Sequence, residues 1–105
     1  MSLKIIWSEL AESELDDIYQ YYEKTASLKV AKKFVNAIIN EPNKLIKTPE
    51  IGQRELSLKH RGIEYRYLVF RNYKLIYSID YKKGFIKISD VFDTRQNPTK
   101  LDRTK

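Results

Sequence analysis

The feature that most constrains the fold is a change in hydrophobic periodicity near residue 50. Before it, apolar residues recur every three or four positions, which is typical of amphipathic helices. After it, apolar and polar residues alternate, which is typical of half-buried strands. Because the helical and strand patterns are segregated along the chain, we predict class α+β, with two helices packed on an antiparallel sheet.

The first half predicts two consecutive helices. Ser8 is a suitable N-cap for the first, over about residues 9–24, and Ser27 is a suitable N-cap for the second. Pro42 lacks the N–H that a continuing helix needs, so the second helix should break near Glu41. The short connection between the helices makes them an antiparallel hairpin. The apolar stripes expected to face the sheet contain Ala11, Leu15, Ile18, Tyr22, Phe34 and Ile38.

The second half predicts a meander of three strands, in the segments EYRYLVF, YKLIYSID and FIKISDVF. Arg71 and Asn72 form the first turn, where asparagine tolerates a left-handed backbone. Gly84 closes the second hairpin. With the short β-branched segment KIIW at residues 4–7, the element order is βααβββ. A chain of this length has room for one core, so we expect a single domain over residues 1–105.

Charge is divided unequally between the two halves. The chain carries a net +6, but seven lysines and eight acidic residues give residues 1–50 a net −1, and residues 51–105 carry the remaining +7. All six arginines lie in the second half. Arginine suits planar, bidentate contact with phosphate or carboxylate, so this half should meet an anionic partner. An ordinary solvated basic face is the alternative.

Several classes of function lack the residues they need. The chain has no cysteine and one histidine, His60, so we expect neither a metal site nor a cofactor. It also lacks a constellation for nucleophilic catalysis and a glycine-rich phosphate loop. The N-terminal apolar run is too short for a signal sequence, and nothing approaches a membrane span. These features favour a cytoplasmic protein that does not contact a membrane.

The candidate functional residues are the basic and aromatic side chains of the meander. Aromatic faces beside arginine and lysine on a sheet can stack bases and contact phosphates. Arg66 and Lys74 are expected to point away from the apolar stripes and to share an exposed cluster. The alternative for the tyrosines is an ordinary half-buried strand position. The candidate surface comprises Arg66, Arg71, Tyr73, Lys74 and Arg95.

The segment SDVFDTRQNPTK, residues 89–100, ends the last predicted strand on Arg95. We expect Pro98 to stop the strand so that the tail turns away. Arg95 would then stand at the strand end as a cationic contact. The alternative is an ion pair between Arg95 and Asp90 or Asp93 that pins the chain terminus.

The segments SLKIIWSELAESELDDIYQYY, EYRYLVFRNYKLIYSID and FIKISDVFDTRQNP resemble the RelE/ParE superfamily of toxins from type II toxin-antitoxin systems, once called plasmid-stabilisation proteins. The resemblance covers residues 3–98 and has the same βααβββ order. It implies a small cognate antitoxin as partner, for which we expect an acidic or amphipathic segment. It also implies one of two modes of action on the target.

RelE-type members cleave mRNA on the ribosome without a metal, and the resemblance assigns candidate catalytic residues for that mode. Arg66 matches the first basic position and Lys74 the arginine of the next strand, while Arg95 matches the C-terminal arginine. Leu68 stands where the second basic residue should be, and no tyrosine follows Tyr81. Cleavage by a 2′-hydroxyl needs a base, an acid and cations at the phosphate; the cations are present here, but Leu68 and the missing tyrosine leave two of the family's positions unmatched.

ParE-type members inhibit DNA gyrase without a hydrolytic site of their own, and the end of this chain resembles them more closely. We therefore favour a ParE-like growth inhibitor that acts on gyrase, and keep a RelE-like ribonuclease as the alternative. A third hypothesis is a non-toxic module that binds nucleic acid or an antitoxin.

Overall fold

The computed structural model describes residues 2–96 and 98–104, without the side chains of residues 98 and 99. The helices and strands, in chain order, are β1 (Lys4–Trp7), α1 (Glu9–Thr25), α2 (Leu28–Asn40), β2 (Gln53–Arg54), β3 (Arg66–Phe70), β4 (Tyr73–Asp80) and β5 (Phe85–Asp93). Short 3₁₀ helices cover Glu41–Ile46, Leu56–Arg61 and Pro98–Arg103. No helix in the described part of the chain is both long and apolar enough to cross a lipid bilayer.

Both helices begin where the sequence predicts. The Ser8 hydroxyl accepts a hydrogen bond from the Ala11 N–H at 3.1 Å, and the Ser27 hydroxyl accepts one from the Val30 N–H at the same distance. Each cap satisfies a backbone donor that has no partner within the helix. The predicted break is also confirmed, because α2 ends one residue before Glu41–Ile46, the 3₁₀ helix that contains the proline.

The five strands form one sheet in the order β1-β5-β4-β3-β2. The predicted α+β class and the meander of β3, β4 and β5 are confirmed. The sheet is mostly antiparallel rather than wholly so, because β1 pairs parallel to β5. Strand β2 was not predicted, since two residues are too few to show an alternating pattern.

The sheet buries apolar side chains on both of its faces. On one face the helices pack against alternate residues of β4, and on the other the second and third 3₁₀ helices contribute to a second, smaller core. Phe34 and Tyr22 lie at the margin of the first core and are half-buried, so both pack against it as predicted without being enclosed by it. The buried members of the second core are Leu58, Tyr65, Ile76, Phe92 and Leu101.

Two details of the chain differ from prediction. In the turn between β3 and β4 the left-handed backbone falls on Arg71, with a φ of 56°, and not on Asn72. The C-terminal tail packs back onto the sheet instead of turning away, and Leu101 is buried there. The chain leaves β5 after Asp93, before the predicted Asn97-Pro98 breaker, whose asparagine lies outside the described residues.

The loop between α2 and β3 is fastened to the sheet by a buried tyrosine. The Tyr77 hydroxyl donates to the Pro49 carbonyl at 2.7 Å and accepts from the Gly52 N–H at 3.0 Å. A Cβ atom at Gly52 would lie 2.5 Å from that hydroxyl and 2.7 Å from the Tyr67 carbonyl oxygen, so only glycine fits. This contact helps to position β2, the edge strand of the sheet, and Glu55, the residue that follows it.

Candidate functional surface

The structure separates two residues that were expected to share a cluster. Arg66 pairs with Tyr77 across β3 and β4, and paired residues of antiparallel strands point to the same face. Tyr77 belongs to the core under the helices, so Arg66 extends from the helix side. Lys74 lies three positions from Tyr77 and therefore points to the opposite face. The predicted shared cluster is wrong.

Arg66 is occupied by its own loop. One terminal nitrogen of its guanidinium donates to the carbonyls of Glu50 and Gly52, at 3.1 and 2.8 Å. Its Nε lies 3.1 Å from a carboxylate oxygen of Glu64. Only 17% of the side chain is exposed. These contacts make Arg66 an anchor for the segment that leads into β2.

Lys74 is neutralised by a buried carboxylate. Its ammonium donates to Glu55 Oε1 at 2.9 Å and lies 4.2 Å from the centre of the Tyr67 ring. Glu55 is 8% exposed and also accepts from the Ser57 hydroxyl at 2.9 Å. Burial disfavours its charged form, but the hydrogen bonds from Lys74 and Ser57 outweigh that effect and lower the pKa of Glu55.

Tyr73 is a core residue rather than part of an exposed surface. Its side chain is buried under the helices, and this burial is the main reason that its pKa rises to about 12. The inclusion of Tyr73 in the candidate surface is therefore wrong. Leu68 points to the same side, since it pairs with Leu75 of that core.

Arg95 is exposed but paired to its near neighbour. Its Nη2 lies 2.7 Å from Asp93 Oδ2 and its Nε 3.0 Å from Asp93 Oδ1, while 68% of the side chain remains in contact with solvent. Hydrogen bonds from this guanidinium lower the pKa of Asp93 to about 2. Of the two predicted partners, Asp93 is the one observed.

Arg71 differs from the other candidates because it has no carboxylate partner among the described residues. The central carbon of its guanidinium lies 5.9 Å and 6.0 Å from the ring centres of Phe34 and Phe70, within the range of a cation–π contact. Its left-handed backbone costs a non-glycine residue about 1–2 kcal/mol.

Arg71 and Arg95 border the same end of the sheet. Phe70 of β3, Tyr73 of β4 and Asp93 of β5 are paired in one row across the meander. Arg71 directly follows Phe70, and Arg95 lies two residues after Asp93. The turns that carry them are also joined, because the Thr94 N–H donates to the Asn72 carbonyl at 2.8 Å. The structure thus places both arginines at one end of the sheet.

A second buried ion pair was not predicted. Asp90 is fully buried and accepts from Arg103 Nε and Nη2, both at 3.1 Å, and from the Thr104 hydroxyl at 3.0 Å. Arg103 also lies 3.6 Å from Glu14 of α1. The sequence held one signal for this pair, namely an aspartate at a position of β5 that its alternation reserves for apolar residues, between Ile88 and Phe92.

The described residues include no group of three or more His, Cys, Asp or Glu side chains that could hold a metal ion. His60, the single histidine, is an exposed residue of the 3₁₀ helix Leu56–Arg61 and lies 3.9 Å from Asp102.

Comparison with known proteins identifies the family to which the sequence belongs. The sequence model described as "ParE toxin of type II toxin-antitoxin system, parDE" matches residues 5–98 of the chain. The chain belongs to this ParE toxin family. No curated protein matches the sequence.

A solved structure described as "Chromosomal ParDE TA system from P. aeruginosa" has the same fold as this ParE family member. The TM-score is 0.70 at 19% sequence identity, over 87% of this chain and 95% of that chain. The two-helix hairpin on a five-stranded sheet is therefore the ParE fold, and the recognition made from sequence is confirmed.

Proposed function

We propose that this chain is a growth-inhibiting toxin that acts on DNA gyrase in the cytoplasm, as one domain over residues 1–105, and that a small cognate antitoxin neutralises it. The family supplies the class of protein. The choice of gyrase rests on one observation, which is that Lys74 is held by the buried carboxylate of Glu55.

That observation counts against a ribonuclease of the RelE type. Such an enzyme stabilises charge on one reacting phosphate, so its cations must converge on a single point. Here Arg66 and Lys74 lie on opposite faces of the sheet, and each is engaged by carboxylates or carbonyls of the chain itself. Leu68, at the second basic position of that mode, packs under the helices.

A protein that inhibits another by binding needs an exposed contact surface rather than an internal acid and base. Arg71 and Arg95 provide such a surface at one end of the sheet. Exposed arginines can form bidentate contacts with carboxylates of a target protein, and they are enriched at the centres of interfaces.

Induced expression in a bacterial host tests the proposal. We expect growth arrest with signs of DNA damage, inhibition of purified gyrase by the purified protein, and rescue when the small reading frame beside the gene is co-expressed. Ribosome-dependent cleavage of mRNA by the wild-type protein, lost in Lys74→Ala, would instead establish the ribonuclease. Normal growth at high expression would favour the third hypothesis, a binding module without toxicity.

A further inference from the structure

Arg71 and Arg95 lie at one end of the sheet, which we call the hairpin end after the turn between β3 and β4. At the opposite end, the face of the sheet turned away from the helices carries two apolar side chains that belong to neither core, Ile6 of β1 and Phe85 of β5. Ile6 is 39% exposed, and Phe85 is half-buried. This part of the sheet therefore presents apolar surface that the fold itself does not use.

The register of the strands shows which side chains share this face. Ser78 and Asp80 follow Ile76 of the second core at alternate positions of β4, so they point to its side of the sheet. Residues paired across neighbouring strands point the same way. Pairing through β5 to β1 adds four more side chains, and the two rows across the face are Ser78–Lys87–Ile6 and Asp80–Phe85–Lys4. We call these six residues the lysine face.

Lysines surround the aromatic ring of Phe85. Lys4 stands beside it in its row, Lys87 lies two residues further along β5, and Lys82 and Lys83 are exposed in the turn that leads into β5. In the part of the chain that the structure describes, none of these four lysines forms an ion pair. Their charge is therefore available to a ligand.

Asp80 is the one acidic residue of the lysine face. Its Oδ1 accepts a hydrogen bond from the Lys83 N–H at 2.9 Å, so the carboxylate already serves the turn. Together with the four lysines it gives this part of the surface a net charge of +3. A polyanion is the ligand whose charge complements such a surface.

The aromatic ring narrows the class of polyanion. On open sheets, the bases of a single strand stack on aromatic side chains while cations contact the phosphates. In a duplex the bases are stacked on one another, and an acidic peptide has none. We infer that the lysine face binds single-stranded nucleic acid, with a base on Phe85 and phosphates at Lys4 and Lys87. This activity goes beyond the proposed function, because inhibition of gyrase through the hairpin end does not need it.

The probe is a fluorescent deoxythymidine single strand of about ten nucleotides. A duplex of the same length and a polyglutamate peptide are the comparison ligands. Binding to the full chain is followed by fluorescence anisotropy at several salt concentrations, and amide NMR shifts locate it. We expect the single strand to bind more tightly than either comparison ligand and to shift Phe85 and Lys87. A plot of log affinity against log salt should have a slope of about −2 to −3 if three or four lysines contact phosphates.

Substitutions then separate the lysines from the ring. Lys4→Ala and Lys87→Ala should each make the slope less steep by about 0.7, because each removes one phosphate contact. The matched control is Lys32→Ala, an exposed lysine of α2 on the helix side of the sheet, which should leave the slope unchanged. Phe85→Leu keeps an apolar side chain without a ring. It should weaken binding on the order of tenfold at an unchanged slope, and Phe85→Tyr should retain most of the wild-type affinity.

Absence of single-strand binding, equal binding of the duplex or the peptide, or a slope that changes equally in Lys32→Ala would overturn the inference. Wild-type affinity in Phe85→Leu would also overturn it, because no base would then stack on the ring. These measurements do not depend on toxicity. A protein that inhibits gyrase without binding the single strand would refute the lysine face and leave the proposed function intact. Single-strand binding at this face by a protein with no effect on gyrase would do the reverse.

Discussion

The ammonium of Lys74 lies 2.9 Å from Glu55 Oε1, and Glu55 is almost wholly withdrawn from solvent. Each group is the other's only ionic partner among the described residues. A cation in this position cannot be removed without leaving a buried charge behind. The pair therefore serves the packing of the loop after β2, and Lys74 is not free to meet a phosphate.

Replacement of Lys74 by alanine should destabilise the protein, contrary to the expectation for an exposed strand residue. Loss of its hydrogen bond leaves the buried Glu55 carboxylate without a counter-ion, at a cost of about 1–3 kcal/mol. Urea denaturation of Lys74→Ala measures this cost, and Lys82→Ala in an exposed turn is the matched control. The double variant Lys74→Ala/Glu55→Gln should recover part of the loss. Equal midpoints for the single variant and the wild type would contradict this interpretation.

Acid should weaken the fold through Asp93. Its pKa is about 2 in the folded protein against an ordinary value of 3.8, because Arg95 donates to the charged form. A group with a lowered folded pKa stabilises the protein fully above its unfolded pKa, and this contribution is lost as the pH falls from 3.8 to about 2.

The variant Asp93→Asn isolates this effect. Thermal unfolding is followed across that pH range. At its upper end the melting temperature of the wild type should exceed that of Asp93→Asn by a few degrees, and the difference should narrow as the pH falls. A constant difference between the two proteins would mean that the ion pair with Arg95 contributes nothing to stability.

The sequence predicted the elements of local origin and missed those that depend on distant contacts. Serine caps, apolar spacing and Pro42 act within a few residues, so α1, α2 and the meander could be predicted. The face of a strand residue depends on register, which local alternation did not reveal for Arg66 and Lys74. Glu55 pairs with Lys74, 19 positions away, and Asp90 pairs with Arg103, 13 positions away. A periodic pattern of apolar residues carries no information about contacts between residues so far apart.

The packing of the C-terminal tail against the sheet should depend on the Arg103–Asp90 ion pair. Among the described residues, Arg103→Ala leaves the buried carboxylate of Asp90 with only the Thr104 hydroxyl as a side-chain donor, and should cost about 3–5 kcal/mol. Lys100→Ala, an exposed change in the same 3₁₀ helix, is the control. Chemical denaturation gives both values. A cost for Arg103→Ala no greater than that of the control would show that the ion pair with Asp90 does not hold the tail.

Arg95 is the residue at which stability and toxicity should separate. Its side chain is largely exposed and contacts the carboxylate of a neighbouring residue, so Arg95→Ala should leave the protein folded and lower its melting temperature by no more than the few degrees expected for Asp93→Asn. If the hairpin end of the sheet meets the target, the same variant should lose growth inhibition and gyrase inhibition together.

The matched control for that experiment is Asp93→Asn, which keeps the guanidinium and frees it from its partner. We expect this variant to inhibit growth at least as well as the wild type, because the cation becomes available to a carboxylate of the target. Growth and gyrase assays on both variants, expressed to equal levels, decide the matter. Full toxicity of Arg95→Ala would mean that Arg95 only stabilises the turn after β5. Arg71 would then be the cation of the contact surface to test.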